Sequence, residues 1–254
     1  MKALEITALS KHFGGIQAVD AISFAVEEGA TVGIIGPNGA GKTTVFNLIS
    51  GMYRPDSGRI SFFEKDITNL DPTRHAQGGM TRTFQNLRLF TTLTVLENVA
   101  IPLLVKEGYG PAGAIFRTPG YTRAHDKTKK KAHELLDFFH LSHKADQAAT
   151  SLPYGEQRRL ELARALAAGP RLLLIDEPAA GMNPREVKDL LDDLRGIKAA
   201  FNLTILIIEH QMGLIMNLSD RIIVMEFGRK IAEDSPEAIR KNEKVIEAYL
   251  GRKQ

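Results

Sequence analysis

Two hydrophobic patterns alternate along the chain. Short runs of consecutive apolar residues recur, and the stretches between them repeat apolar residues with the spacing of an α-helix. Continuous apolar runs are typical of strands that are covered on both faces of a sheet. Their alternation with helices predicts an α/β fold with a largely parallel sheet. The strand candidates are residues 31–35, 172–175, 203–208 and 221–225.

Polar residues mark where several helices begin. Residues 94–97 have the pattern of a capping box, in which each of the two end side chains accepts a hydrogen bond from the other's backbone N–H. Residues 183–186 add a proline at the first helical position, and Ser235-Pro236 repeats the cap and the proline. Glycine and proline interrupt every regular pattern between Lys106 and Thr122, which predicts a loop or insertion.

Composition places the chain among soluble globular proteins. It has 254 residues, of which 43% are hydrophobic and 25% charged, and these are ordinary shares. The 33 basic and 30 acidic residues give a net charge of +3, which does not favour a nucleic-acid partner. The absence of cysteine excludes disulfides and thiolate metal sites. No segment has the ~18 apolar residues of a spanning helix, so we expect any membrane attachment to run through a partner.

A phosphate-binding pattern, GxxxxGK[ST], lies between a predicted strand and a predicted helix over residues 42–50. Glycines allow backbone N–H groups to approach a phosphate, and the helix N-terminus adds a favourable dipole. We expect Lys42 to reach the β- and γ-phosphates of ATP and the Thr43 hydroxyl to bind Mg²⁺. The other residues of the pattern are Gly36, Pro37, Asn38, Gly39, Ala40 and Gly41.

Two adjacent carboxylates follow the apolar run of residues 172–175. In open α/β sheets, ligands bind at the carboxyl ends of the strands. Asp176 is therefore expected to hold Mg²⁺, and Glu177 to polarise the attacking water. His210 follows another strand and is a candidate contact for the γ-phosphate, although a single histidine among seven carries little weight alone. Gln85 is equally unremarkable by itself.

Along essentially its whole length, the chain resembles the ATPases of the ABC (ATP-binding cassette) family, because six motifs stand in the family's order. The resemblance extends the phosphate-binding loop to Thr44 and implies that Phe13 stacks on adenine. It also implies that Gln85 contacts Mg²⁺ and water and senses a membrane partner, and that His210 is the switch histidine. Residues 180–183 match the D-loop. The signature motif, which binds the ATP of a partner subunit, corresponds to Leu152, Pro153, Tyr154, Gly155 and Glu156.

The resemblance further implies the architecture. It predicts a RecA-like P-loop NTPase core with a largely parallel sheet, an N-terminal antiparallel β region and an inserted α-helical subdomain. One ATP-binding domain would cover residues 1–254. Its core would comprise residues 1–85 and 160–254, and the helical insertion residues 86–159.

Finer features resemble one group, the LivG-type ATP-binding subunits of branched-chain amino acid importers. They are the signature region LPYGEQRRLELARAL, the stretch DEPAAGMNP, the insertion after Ile101 and the ending VIEAYLG. The resemblance implies an ATP hydrolase, peripheral at the cytoplasmic face of the inner or plasma membrane, that powers uptake of hydrophobic amino acids. Implied partners are a second, different ATPase subunit, two membrane-spanning permease subunits and, indirectly, a periplasmic or extracellular solute-binding protein. Within residues 86–93, we expect the permease to contact Leu87, Leu89, Phe90 and Leu93.

The signature departs from the family pattern. Pro153 replaces a serine whose hydroxyl contacts the γ-phosphate, and proline offers neither a hydroxyl nor an N–H. Tyr154 replaces a glycine, and Glu156 replaces a glutamine and would bring negative charge towards a polyanion. These changes predict unequal ATP sites in a heterodimer, unless the Tyr154 hydroxyl restores the lost contact.

Three alternatives stay open on the sequence. A soluble ABC ATPase of DNA repair or translation usually carries a long coiled coil or a second ATPase domain, and this sequence has neither. A regulatory module without hydrolysis is disfavoured by Lys42, Asp176, Glu177 and His210. The ATPase of a transporter for urea, amides or exported lipopolysaccharide would share the same core motifs.

Overall fold

The chain divides into two units in the computed structural model, which describes residues 1–83, 87–107 and 119–250. The first unit combines Met1–Arg82 with Arg171–Gln254, and the second is Thr83–Pro170. The predicted helical insertion, residues 86–159, lies within the second unit, and this unit continues past residue 159 through the helix Tyr154–Ala167 to Pro170.

The first unit contains two β-sheets. Its strands are β1 (Lys2–Phe13), β2 (Ile16–Glu27), β3 (Thr31–Ile35), β4 (Ser57–Phe62), β5 (Lys65–Asp66), β6 (Met80–Arg82), β7 (Leu172–Asp176), β8 (Thr204–Ile208), β9 (Arg221–Glu226) and β10 (Arg229–Asp234). One sheet has the order β2-β1-β4-β5 and is antiparallel. The other has the order β10-β9-β3-β8-β7-β6, and only its β9–β10 pair is antiparallel.

The sheet prediction is confirmed. All four predicted strands are present as β3, β7, β8 and β9, and their bounds agree within one residue at each end. Every residue of β3, β7 and β8 is buried, which explains why these strands read as unbroken apolar runs.

The helices of the first unit are α1 (Lys42–Ile49), α2 (Pro72–Gln77), α6 (Pro184–Phe201), α7 (Met212–Leu218), α8 (Pro236–Lys241) and α9 (Glu243–Leu250). Phe46 of α1 is fully buried in one hydrophobic cluster with Ile6 of β1 and Leu174 of β7. This packing fixes α1, and with it the loop before α1, against both sheets. The predicted caps are also present: Asn183 and Glu186 form a capping box, and the Ser235 side chain accepts from the Ala238 N–H.

The second unit is helical in its described part, with α3 (Val95–Glu107), α4 (Pro119–Phe138) and α5 (Tyr154–Ala167). The predicted capping box of α3 is present, since Thr94 N–H donates to Glu97 and Glu97 N–H donates to the Thr94 hydroxyl. None of the helices in the described ranges combines the length and the apolar content that crossing a membrane requires.

Candidate active site

The candidate residues of the first unit follow three neighbouring strands. Strands β3, β8 and β7 are adjacent and parallel, so they end at one edge of the sheet. The glycine-rich loop follows β3, Asp176 and Glu177 lie at the end of β7, and His210 lies two residues after β8. Parallel strand ends of this kind form the ligand-binding edge of α/β sheets.

The loop from Gly36 to Gly41 has a backbone that glycine alone can provide at two positions. Gly36 has φ 152° and Gly41 has φ 95°. A Cβ at Gly36 would lie 2.1 Å from the Met225 carbonyl oxygen, and one at Gly41 would lie 2.4 Å from that of Ala18. Gly41 caps α1 without a side-chain hydrogen bond. The first-turn N–H groups of α1 are thus not capped by a side chain, and this loop fits a phosphate group.

The Lys42 amine lies inside this loop. The residue is only 5% exposed, and its Nζ donates to the carbonyl oxygens of Gly36 at 2.7 Å and Pro37 at 3.0 Å. Burial lowers the pKa of Lys42, while the negative charges of Glu177 and Asp176 act to raise it. A buried ammonium surrounded by backbone dipoles is suited to an anionic ligand. Beside it in the first turn of α1, Thr43 is exposed and Thr44 is half-buried, and Asn38 and Gly39 are exposed while Ala40 is buried.

Asp176 is held by a residue that the sequence did not indicate. Arg82, at the end of β6, donates from Nη2 to Asp176 Oδ2 at 2.7 Å, and both side chains are less than 10% exposed. The other guanidinium nitrogen, Nη1, donates to Asn47 Oδ1 on α1 at 2.7 Å and to Oγ of Ser50, the C-cap of α1, at 3.0 Å. Arg82 therefore connects the carboxylate to the phosphate-loop helix. No motif marks it, because the contact depends on the sheet order alone.

Glu177 and His210 form a pair across two strand ends. His210 Nε2 lies 2.8 Å from Glu177 Oε1. Since an ionised carboxylate can only accept, the imidazole Nε2–H is the donor. Glu177 also has φ 44°, a left-handed conformation that costs energy for a non-glycine residue and is concentrated at functional sites. The structure thus brings together the two residues that were assigned to water activation and γ-phosphate contact.

Phe13 lies at the end of β1, where its ring is 43% exposed. The ring makes an edge contact with Tyr53 at 5.3 Å between centroids. Asp56 accepts from the neighbouring His12 N–H at 2.6 Å and from Lys11, and the hydrogen bond from Lys11 contributes most to lowering the pKa of Asp56 to about 2. The aromatic side chain is thus presented on a fixed strand end. Gln85 lies outside the described residues.

The predicted signature residues lie in the second unit. Leu152 is buried, and Pro153 caps α5 without a side-chain hydrogen bond. The hydroxyl of Tyr154, which is 41% exposed, accepts from Arg158 Nη2 at 3.1 Å, so Tyr154 is tied to its own helix. Gly155 follows in the first turn of α5.

The negative charge of Glu156 has a partner within its own unit. Both of its carboxylate oxygens accept from Lys144 Nζ, at 2.7 and 2.6 Å. The negative charge that Glu156 was predicted to bring to this motif is therefore paired with Lys144, a lysine of the turn Ser142–Lys144. Two departures remain without such compensation, namely the missing serine hydroxyl at Pro153 and the replacement of a glycine by Tyr154.

Comparison with known proteins agrees with this geometry. Residues 19–180 match the family described as ABC transporter, and residues 229–253 match the family described as branched-chain amino acid ATP-binding cassette transporter. The chain belongs to the ABC transporter family as an ATP-binding cassette ATPase, and the prediction of an ATP hydrolase with this fold is confirmed.

Two relatives of similar sequence share one transport role in their names. The branched-chain amino acid transport ATP-binding protein BraF of Pseudomonas aeruginosa is 42% identical, over 98% of this chain and 97% of its own. A probable LivG of Archaeoglobus fulgidus is 39% identical, over 99% and 96%. A crystal structure of an ATP-binding cassette in its ADP conformation has a TM-score of 0.85 and 35% identity, covering 99% of this chain and 100% of that one.

Proposed function

We propose that this chain binds and hydrolyses ATP to drive uptake of branched-chain amino acids through a membrane importer. The observation that carries the hydrolytic part is the arrangement at one sheet edge. There the buried Lys42 amine faces the phosphate loop, and the paired Glu177 and His210 lie at the adjacent strand ends. The identity of the solute is supported by the names of relatives that match nearly the full chain.

The residues divide the chemistry between them. The loop amides and Lys42 bind the phosphates, and the Glu177 carboxylate takes the proton of the water that attacks the γ-phosphorus while ADP leaves. His210 donates to Glu177 and keeps the carboxylate oriented. Thr43 and Asp176 would hold Mg²⁺, which neutralises the charge that develops on the phosphate oxygens. Gln85 is proposed as a further contact to Mg²⁺ and water.

The working assembly is proposed to contain two different ATPase subunits and two permease subunits. ATP bound at the loop of one ATPase subunit would contact the signature motif of the other, and hydrolysis would reopen the dimer. A solute-binding protein would deliver the cargo on the far side. We place this chain peripherally at the cytoplasmic face of the membrane, where ATP is available.

Residues 86–93 are the proposed permease contact, and the structure describes residues 87–93 of this segment. Asn98 of α3, which is fully buried, closes this segment by accepting from Phe90 N–H at 2.9 Å and donating to the Phe90 carbonyl at 3.1 Å. The Phe90 ring stays 43% exposed, with the Arg164 guanidinium 5.2 Å from its centroid. Leu87, Leu89 and Leu93 are half-buried. A fixed loop with an exposed aromatic ring is suited to a partner's apolar helix.

The assembly is tested by purifying a tagged form of this chain from membranes with mild detergent and identifying the proteins that accompany it. We expect two hydrophobic permease subunits and one further ATPase. A chain that elutes with a second ATPase domain and no membrane protein would contradict the importer assignment. A matched Phe90→Asp variant should retain its fold and lose the permeases.

Phe13→Ala is expected to weaken ATP binding by ~1–3 kcal/mol, because a base stacked on an aromatic ring loses that platform. Phe13→Tyr should bind as wild type, since stacking tolerates the added hydroxyl. Equilibrium binding of ATP measures both. Tyr53→Ala serves as the control for the edge contact, and unchanged affinity in Phe13→Ala would assign the adenine to another residue.

Lys144→Met is expected to lower kcat/KM for ATP in the assembled transporter by at least tenfold. It leaves the Glu156 charge uncompensated beside a polyanion, and a hydrogen bond to a charged group contributes ~1.5–3 kcal/mol. Glu156→Gln alone should be nearly neutral, and Lys144→Met with Glu156→Gln should recover activity. The control is Lys198→Met, which breaks a surface ion pair to Asp220 in the other unit. Equal losses of kcat/KM in Lys144→Met and Glu156→Gln would show that the ion pair serves stability only.

A further inference from the structure

Glu209 is a buried carboxylate that none of the recognised motifs includes. The residue lies between β8 and His210 and is 2% exposed. Its Oε1 accepts from the backbone N–H groups of His210 at 2.7 Å and Gln211 at 2.9 Å, and its Oε2 accepts from that of Ala179 at 3.1 Å. A buried charge is costly unless it is fully hydrogen-bonded, and three peptide N–H groups meet that requirement here.

These hydrogen bonds join the two loops that carry the catalytic pair. Ala179 lies two residues after Glu177 in the loop that follows β7, and His210 and Gln211 belong to the loop that follows β8. A second link runs in parallel, because Gln211 Nε2 donates to the Ala179 carbonyl oxygen at 3.1 Å. The backbone N–H of Ala179 is thus bound to Glu209, and its backbone carbonyl is bound to Gln211.

The link also holds a strained turn. Glu177 has φ 44°, and such conformations persist only where the surroundings over-determine them. On one side of Pro178, Glu177 N–H donates to the Ile208 carbonyl at 2.9 Å. On the other side, Ala179 N–H donates to Glu209. The turn that aims the Glu177 carboxylate at His210 is therefore fixed at one end by the last residue of β8 and at the other by Glu209, the first residue of the loop that follows it.

We propose that Glu209 is a positioning residue that fixes Glu177 and His210 relative to each other, so that the hydrolytic step depends on it and ATP binding does not. This inference rests on the proposed roles of Glu177 and His210. The phosphate loop follows β3 and takes no part in the link, which is the physical reason for separating the two effects.

Glu209→Gln is the test variant. Glutamine offers one acceptor oxygen and one NH₂ donor, so it can accept hydrogen bonds from the N–H groups of only one of the two loops. The NH₂ group would lie opposite the backbone N–H of the other loop, and because two donors cannot bond to each other, that loop would detach. We expect kcat of the assembled transporter to fall by about tenfold to a hundredfold, since a misplacement of about 1 Å at a catalytic group can cost about 10²-fold. The KM for ATP and equilibrium ATP binding should stay at the wild-type values.

A matched control separates positioning from stability. Thr204, at the other end of β8, is fully buried, and its hydroxyl accepts from the Gly29 N–H at 3.0 Å. Thr204→Val removes this buried hydrogen bond far from the catalytic edge, and should lower Tm while leaving kcat unchanged. A kcat loss in Thr204→Val that matches that of Glu209→Gln would overturn the proposal.

The double variant with His210→Ala gives the sharper result. If Glu209 acts through the pair, adding Glu209→Gln to His210→Ala should lower kcat little further, whereas independent effects would multiply.

Gln211→Leu is the second variant should Glu209→Gln fail to fold. It breaks only the parallel link, and it should lower kcat with KM unchanged. Wild-type kcat in both Glu209→Gln and Gln211→Leu would refute the proposal. The proposed function is tested separately, by comparing the ATPase activity of the wild-type chain with that of Glu177→Gln. If Glu177→Gln abolishes this activity, the proposed function stands whatever Glu209→Gln and Gln211→Leu show.

Discussion

Glu177→Gln is expected to bind Mg-ATP as the wild type does and to hydrolyse it at least about a hundredfold more slowly, because a positioned general base contributes about 10²–10⁴-fold. Glutamine has nearly the same shape, and it can still accept the hydrogen bond that His210 donates across 2.8 Å. Only the capacity to take a proton from water is lost. ATPase activity at saturating Mg-ATP, together with equilibrium ATP binding, measures the two parts separately.

Glu226→Gln is the matched control. Glu226 ends β9, the neighbour of β3 in the same sheet, so the substitution removes a carboxylate from the same edge. It should hydrolyse ATP as the wild type does. ATPase activity near that of the wild type in Glu177→Gln would show that Glu177 is not the general base and that another group takes the proton from water.

Lys42→Ala is expected to lose ATP hydrolysis and to bind ATP more weakly, which distinguishes it from Glu177→Gln. Its ammonium is the cation placed inside the phosphate loop, and removing one such electrostatic contact at a transition state costs about 10²–10³-fold in rate. Lys42→Met is the second variant, since it keeps the buried aliphatic stem and removes only the charge. Unfolding in Lys42→Ala with wild-type hydrolysis in Lys42→Met would show that the amine serves the loop's structure alone.

The sequence was sufficient where the signal is local. The buried strands β3, β7 and β8 are continuous apolar runs, and the caps at Thr94, Asn183 and Ser235 are read from neighbouring positions, so both could be predicted. The glycine-rich loop was recognisable for the same reason. The predicted ends of β7, β8 and β9 each differ from the observed ends by one residue at one end. A strand's last hydrogen bond depends on the neighbouring strand rather than on its own side chains.

Contacts between positions that are distant along the chain could not be predicted from the sequence. Arg82 and Asp176 are 94 positions apart, and they meet only because β6 and β7 are adjacent. Lys144 and Glu156 are 12 positions apart on either side of an irregular turn, so helical spacing could not pair them. The partner of the Glu156 charge could therefore not be predicted. Glu209 was missed because a carboxylate beside a recognised histidine looks like a solvated residue until its burial is known.

Uptake of labelled leucine tests the central claim most directly. Cells whose own copy of this subunit is replaced by the wild-type chain or by Glu177→Gln, at equal expression, would be compared for leucine uptake, with urea uptake measured alongside. We expect concentrative leucine uptake with the wild-type chain, its loss with Glu177→Gln, and unchanged urea uptake. Leucine uptake that is the same in both strains, or a loss confined to urea, would contradict the central claim.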